Sequence, residues 1–452
     1  MIDELPYIDS LAGLRFGRQT GKLTAIHGGV IEASGCDVHQ GQLVEIIQAK
    51  GGSRIKAEVV GLRDKRILLM PFSDVHGLCL NSTVVPLDSS LKVPVGNHLL
   101  GRVVDAMGAP LDRAALPAAE MVLSSYAEPI NPLDRTPINE TLSTGVKAID
   151  VFCTLGRGQR IGIMAGSGVG KSTLLGMMAK HTDADVIVIA LIGERGREVG
   201  DFIRESLGED GLKRSVVVVA SAEQPAVLRR QAAYTATTIA EWFRDKNKNV
   251  LLIMDSITRF AMAQREIGLS TGEPIGSRGY PSSVFSLLPP LLERGGTLKN
   301  KGTITSIYTV LVEGDDINEP VADHMRSILD GHVMLSRELA ALGHYPAIDI
   351  QNSISRLASS LLEAKESSCI KLLRESLAIY SSSRDLIDLG AYEPGRNQQL
   401  DKALKLKPEL DKLVTQNPSD TCQWSQTWKH AFSIVNTREQ IDSEKAKRTY
   451  GE

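Results

Sequence analysis

The stretch from Gly162 to Leu175, GIMAGSGVGKSTLL, constrains this chain more than any other. An apolar strand from Arg160 to Ala165 runs into a glycine-rich turn, and the turn runs into a helix with Leu174, Leu175, Met177 and Met178 on its apolar side. Gly166, Gly168 and Gly170 let the backbone curl with successive N–H groups pointing inward, and the helix N-terminus adds partial positive charge at the same place. That is a phosphate-binding loop, formed by Gly166, Ser167, Gly168, Val169 and Gly170 and closed by Lys171, Ser172 and Thr173 at the helix start. Lys171 is placed to reach the β and γ phosphates, and Ser172 to ligate a magnesium ion, so ATP and Mg2+ are the expected ligands. The strict pattern G-x-x-x-x-G-K-[ST] asks for glycine at position 165, where Ala165 stands. A small residue satisfies the geometry there.

A chain of 452 residues, 42% of them hydrophobic, has room for two or three domains with buried cores. Three are expected: a β-barrel over residues 1–92, a nucleotide-binding domain over 93–360 and a helical domain over 361–452. The first shows short alternating apolar runs (Leu43 to Ile47, Ile55 to Val60, Ile67 to Met70) separated by turn residues. Such a barrel binds nucleic acid strands only if it offers a basic groove with stacking rings. Residues 1–92 hold ten Lys or Arg against ten Asp or Glu, and only Tyr7, Phe16 and Phe72 as aromatics, so a structural role is expected and nucleic acid is not. The net charge of −3 adds no footprint for a polyanion.

Cys36, Cys79, Cys153, Cys369 and Cys422 are scattered without metal or redox spacing and read as reduced thiols. The start, MIDELPYIDS, is acidic where a signal peptide is basic, and no apolar run approaches the roughly 18 residues of a membrane span. A cytosolic location is expected.

Pro129, Pro132 and Pro137 make an extended linker that leads into the nucleotide-binding core. Beyond it, strand-like runs (Val186 to Ile192, Val216 to Ala220, Val250 to Met254, Thr303 to Val312) alternate with helical ones such as Ala226 to Arg244. The fold class is therefore α/β, with a mostly parallel sheet covered on both faces and ligands at the carboxyl ends of its strands. Two such ends carry acids. The run from Val250 ends in Asp255, where a phosphate loop needs its second magnesium-side group. The run from Val186 ends in GERGRE, residues 193–198, where a carboxylate either aligns the attacking water or belongs to a solvated charged loop.

GERGREV, LLIMDSITRF, GYPSSVFSLLP, YTVLVEGDD and GHYPAIDIQNSISR follow one another as in the catalytic subunits of rotary ATP synthases. The chain resembles still more the ATPases of bacterial type III protein export, flagellar and injectisome, from about Gly21 to Ala403. The resemblance implies an N-terminal β-barrel, a RecA-like core and a helical C-terminal domain in a ring of six identical chains. It implies that Lys171 binds phosphate, that Ser172 and Asp255 bind magnesium and that Glu194 activates water. Arg195 and Glu198 would support the γ-phosphate and the metal's water shell, Arg356 would enter the neighbouring subunit's site, and Tyr345 would pack against adenine. Non-catalytic rotary subunits have glutamine where this chain has Glu194, so a working hydrolase is implied.

The same resemblance implies further partners: a stator or regulatory protein, a central stalk, chaperone–substrate complexes and a membrane export gate that the chain meets peripherally. VLVEGDDINEP leans to the injectisome, whereas IDIQNSISR and RDLIDLGAY lean to the flagellum, and the flagellar reading is adopted. An RNA-translocating ring, a non-catalytic ring subunit and a proton-driven synthase subunit remain as alternatives. The irregular loop Gly272 to Pro281 is expected to face the ring's channel, with Arg278 and Tyr280 as contacts. Gly390-Ala391-Tyr392 is expected to break a helix, the tail from Ser433 to Glu452 to fray, and only a short segment to precede Leu14 and Phe16.

Overall fold

The computed structural model describes residues 19–48, 54–112, 114–312, 314 and 316–449, so the expectation for the segment before Leu14 lies outside them. Strands β1 (Gly21–His27), β2 (Val30–Ser34), β3 (Gln42–Ile47), β4 (Arg54–Arg63), β5 (Arg66–Pro71) and β6 (Thr83–Ser90) close into a barrel in the order β1-β2-β5-β4-β3-β6. Every pairing in it is antiparallel. Alternation in sequence becomes alternation of face, with Ile55, Ala57 and Val59 inside the barrel and Lys56 in solvent. Asp64 and Lys65, at φ 48° and 65°, form the two-residue hairpin loop between β4 and β5, a turn whose twist matches that of the strands.

The central sheet is built from β7 (Arg102–Asp105), β8 (Arg160–Ala165), β9 (Val186–Ile192), β10 (Ser215–Ala220), β11 (Asn249–Asp255), β12 (Thr303–Leu311), β13 (Gly331–Leu335) and β14 (Ile348–Ser355). Their spatial order is β14-β13-β8-β12-β11-β9-β10-β7, and the two-residue strand Gly296–Thr297 pairs with β12 to make nine. Only the pairing of β13 with β14 and that of the two-residue strand are antiparallel. The expected runs coincide with β9 to β12. All seven residues of β9 are buried, because apolar clusters cover the sheet on both faces and leave neither side wet.

Three strands escaped the sequence pattern. β7 lies before the proline linker, so the sheet already begins upstream of it and the linker does not mark the entry to the core. β7 and β13 are short, and β14 reads IDIQNSIS because its edge position leaves Gln351 and Asn352 exposed. The helix after β8 is α1 (Lys171–His181); α2 (Ala226–Asp245) follows β10 and α3 (Ile257–Ser270) follows β11.

The barrel rests on α2 and α3 through Val60 and Met70 against Val227, Ala263 and Ile267. Inside this contact the Arg230 guanidinium, only 8% exposed, donates to Glu58 at 2.5 Å and to Gln264 at 3.2 Å. Arg230→Ala strands the Glu58 carboxylate in a dry contact and is expected to lower unfolding free energy by about 3–5 kcal/mol. Glu58→Gln/Arg230→Met together should cost less than Arg230→Ala alone, as read by urea titration; an Arg230→Ala loss under about 1 kcal/mol would show that water reaches the pair.

Helices α4 (Ala364–Ser382), α5 (Gln398–Val414) and α6 (Trp424–Thr449) form the C-terminal layer. Between α4 and α5, Gly390 adopts φ 68° and no helix resumes until Gln398, so the expected break is present. The tail is not frayed as expected: α6 is continuous to Thr449. Trp428, Ala431, Ile434 and Val435 are buried at helical spacing against the core, and this anchoring carries the helix through the residues that showed no clear periodicity. In the loop Gly272 to Pro281, Arg278 is exposed, but Tyr280 is 7% exposed and its hydroxyl meets Glu319 at 3.1 Å. The Tyr280 ring, also covered by Arg265 at 5.3 Å, faces inward and is not the surface contact expected. Among the described residues no helix is long and apolar enough to cross a membrane.

Candidate functional site

β8, β12 and β11 lie side by side, so the loops after β8 and β11 meet at one end of the sheet. After β8 the chain turns through Gly166 to Gly170 into α1. Gly170 has φ 88°, a conformation that side chains disfavour, and a Cβ there would also press on the Tyr345 ring at 3.4 Å. Tyr345, distant in sequence, is thereby placed against the phosphate loop. At the end of β9, Gly193 has φ 67°, and a Cβ on it would lie 2.9 Å from Arg259 Cβ. Glycine alone lets the chain turn there and carry Glu194 back toward the loop.

Lys171 Nζ donates to Asp255 Oδ1 at 2.5 Å and to Glu194 Oε1 at 3.3 Å, and the three side chains are 13%, 3% and 17% exposed. Burial opposes the Lys171 ammonium, yet the two carboxylates outweigh it and hold its pKa above the ordinary value. Burial also raises the Glu194 carboxyl, with Lys171 opposing and the charge of Asp255 adding to the rise. Thr309 on β12 donates to Asp255 Oδ1 at 2.7 Å.

A cavity of about 650 Å³ opens over Lys171 and Glu194, and Ser167, Ser172 and Thr173 line it beside them. A second cavity of about 480 Å³ shares Gly170 and Thr173 with it and is walled by Tyr345, Pro346 and the segment from Thr415 to Asp420. The first has the polar lining and lysine that phosphates need, and the second has a ring for a base. Arg195 and Glu198 stand at the rim, 83% and 49% exposed, and pair with each other at 3.4 Å; Glu198 also meets the Glu194 carboxyl, and neither is bonded to Lys171 or Asp255.

Arg356 is not in this group. Its backbone N–H bonds to Asp330, whose own N–H bonds to Arg160, and its side chain donates to the Arg326 carbonyl at 3.1 Å. It therefore stands at the amino ends of the parallel strands, whereas the phosphate loop stands at their carboxyl ends. Five residues of strand separate the two levels, roughly 17 Å.

Sequence reasoning missed Arg259, Thr309 and Gln416. Arg259 lines the phosphate-side cavity one helical turn after Asp255, and its Nε is buried without a hydrogen-bond partner among the described residues. Its spacing in DSITRF was the available signal. Gln416 lines the base-side cavity; its backbone N–H donates to the Tyr345 carbonyl at 3.0 Å, and its side chain bonds to Gly145 at 2.8 Å and Lys147 at 3.0 Å. No motif marked it, since its partners come from two distant segments.

A strand–turn–helix phosphate loop, two strand-end carboxylates around its lysine and a mostly parallel sheet define a P-loop nucleoside triphosphate hydrolase. Residues 145–355 match the ATP synthase alpha/beta family, nucleotide-binding domain, and residues 363–430 match the T3SS EscN ATPase C-terminal domain. The chain belongs to the ATP synthase alpha/beta family, in its group of flagellum-specific and type III secretion ATPases, and ATP is its substrate. It is 50% identical over 405 residues to the flagellum-specific ATP synthase of Bacillus subtilis, covering 89% of this chain and 92% of that one. It is 46% identical to the type 3 secretion system ATPase of Xanthomonas euvesicatoria, covering 96% of this chain and 100% of the relative. The assembled ATPase EscN of enteropathogenic E. coli matches with a TM-score of 0.87 at 43% identity, covering 92% of this chain and 100% of that one. The same ATPase in complex with its central stalk EscO matches at 0.85 and 42% identity, with the same coverage. With this likeness, the central domain is RecA-like.

Proposed function

We propose that six copies of this chain form a ring that hydrolyses magnesium-ATP at sites shared between neighbours and uses the energy to drive or gate protein export through a flagellar type III apparatus. The observation that carries the ring is the separation of Arg356 from its own phosphate loop. An arginine at the far end of the sheet serves no chemistry within its own chain, but in a head-to-tail ring that end of one subunit meets the loop of the next. The likeness to EscN, solved as an assembled ATPase, supports assembly of this chain.

Within the site, Lys171 and the loop N–H groups bind the phosphates, Glu194 orients the attacking water, and Tyr345 packs against adenine. Arg195 and Glu198, at the rim, act on the γ-phosphate and the metal's water shell, and Arg356 of the neighbour stabilises the charge that develops during transfer. The donor set fits a magnesium ion. Asp255 and Glu194 stand against Lys171, the group that would receive the phosphates, so the nucleotide's oxygens meet carboxylates there and a divalent ion offsets that repulsion. Among the described residues no three His, Cys, Asp or Glu gather into a metal cage, which suits an ion that takes most of its ligands from phosphates and water. Ser172 and Asp255 are the protein groups that would hold it, and once bound it supplies charge neutralisation at the β and γ oxygens.

A central stalk, a stator protein, chaperone–substrate complexes and peripheral attachment to a membrane export gate belong to this reading. The complex of EscN with EscO supports the stalk. The injectisome version has the same mechanism and is the second reading, supported by the full coverage of the Xanthomonas relative. Expression in Bacillus subtilis lacking its flagellum-specific ATP synthase is expected to restore swimming; restored catalysis without swimming would favour the injectisome. For the ring itself, specific ATPase activity is expected to rise with protein concentration and to ignore added RNA. A rate per chain that stays flat down to nanomolar protein would remove the shared site, and stimulation by RNA would return the translocase alternative.

A further inference from the structure

β12 runs between the strand that carries the phosphate loop and the strand that ends in Asp255, with Thr309 in register with Ile163 and Tyr308 in register with Met254. Thr309 is fully buried, and its Oγ1 lies 2.7 Å from Asp255 Oδ1 and 3.3 Å from the Met254 carbonyl oxygen. A hydroxyl has one proton to give, and the nearer, charged acceptor takes it. Lys171 Nζ donates to the same carboxylate oxygen at 2.5 Å. Both donors thus hold Oδ1, and Oδ2 takes no hydrogen bond among the described residues.

The two holds differ in kind. Lys171 sits on the helix that follows the phosphate loop and ends in an ammonium that arriving phosphates attract. Thr309 sits in the middle of a sheet, its stiff β-branched side chain offers few rotamers, and its hydroxyl is neutral and indifferent to phosphate. Nucleotide binding therefore weakens the first hold and leaves the second. We propose that Thr309 is a positioning residue that keeps Asp255 Oδ1 turned into the sheet while Lys171 is engaged with phosphate, so that Oδ2 remains the oxygen left for the magnesium ion. This rests on the magnesium-ATP reading above. A purely structural threonine, satisfying its own hydroxyl on a buried acceptor, predicts changes in stability alone.

The test is the affinity for ADP, by titration calorimetry, in the presence of Mg2+ and again in EDTA. Wild type is expected to bind more tightly with Mg2+. Thr309→Val, which keeps the shape and removes the hydroxyl, is expected to match wild type in EDTA and to lose about tenfold or more of the Mg2+-dependent gain, the worth of one hydrogen bond to a charged group. Thr309→Ser keeps the hydroxyl and should retain the gain, whereas Thr309→Ala should lose it, a pair that decides the matter even where valine disturbs packing. A full Mg2+ gain in both Thr309→Val and Thr309→Ala overturns the inference and leaves the magnesium site standing. A wild-type chain whose ADP affinity ignores Mg2+ overturns the magnesium assignment itself, and the inference with it.

Discussion

Arg356→Ala and Glu194→Gln, each expected to be inactive alone, are expected to restore ATP turnover when mixed. Loss of a transition-state arginine costs roughly 10³ to 10⁵ in rate, and loss of the residue that orients water costs roughly 10² to 10⁴. In a mixed ring some interfaces join the intact Glu194 of one chain to the intact Arg356 of the next, and those sites work. This outcome follows from the proposed ring together with the place of Arg356 in its own chain. Arg356 stands at the Arg160 level of the sheet, tied there by the Asp330 backbone, while Lys171 and Glu194 stand beyond Ala165 at the other end. Steady-state phosphate release across mixing ratios is the measurement. No recovery at any ratio, with both variants shown to co-assemble, would mean that Arg356 serves its own chain, for instance as an ion pair worth about 0 to 1 kcal/mol.

Lys171→Ala carries the second large effect, and it acts twice. Nucleotide affinity should fall at least about 100-fold, because the phosphates lose a desolvated cation. The empty chain should also lose about 3–5 kcal/mol of stability at neutral pH, since Asp255 and Glu194 are left facing each other in a buried pocket without their counter-charge. The sign with pH follows. Burial already holds Glu194 above the ordinary carboxylate value, and removing Lys171 removes the group that opposed this, so its folded pKa rises further above the unfolded one. The penalty is therefore full above that raised folded pKa and shrinks as pH falls toward the unfolded value. Urea titrations in EDTA from pH 7.5 down to pH 4.5 check it. A stability deficit independent of pH would show that the loss is one of packing and not of charge.

How much of this was legible beforehand depends on the range over which each cause acts. The phosphate loop was, because strand, turn and helix are set by fourteen consecutive residues and by backbone conformations that only glycine adopts freely. β9 to β12 were, because a strand covered on both faces must be apolar throughout. β14 was not, since an edge strand with exposed Gln351 and Asn352 carries no such signature. The tail was misread for a related reason: the anchor of α6 lies in Trp428, Ala431, Ile434 and Val435, at and before the start of the stretch that looked patternless. Tyr280 was misread because glycine and proline around it report a loop but say nothing of which side chains that loop turns inward.

By itself, then, the sequence determined the covalent order of the chemistry: a phosphate loop, an acid after one strand, an acid after another, and an arginine beyond them. Each of these depends on neighbours a few residues away. Only the tertiary structure decided that Lys171, Glu194 and Asp255 share one buried pocket, that Thr309 joins them, that Gln416 holds the Tyr345 backbone beside the base-side cavity, and that Arg356 does not belong to the same end of the molecule. Those facts depend on strand order and direction. In a parallel sheet, β8, β11 and β12 bring their carboxyl ends together however far apart they lie in sequence, while an antiparallel β14 returns its last residue to the opposite edge.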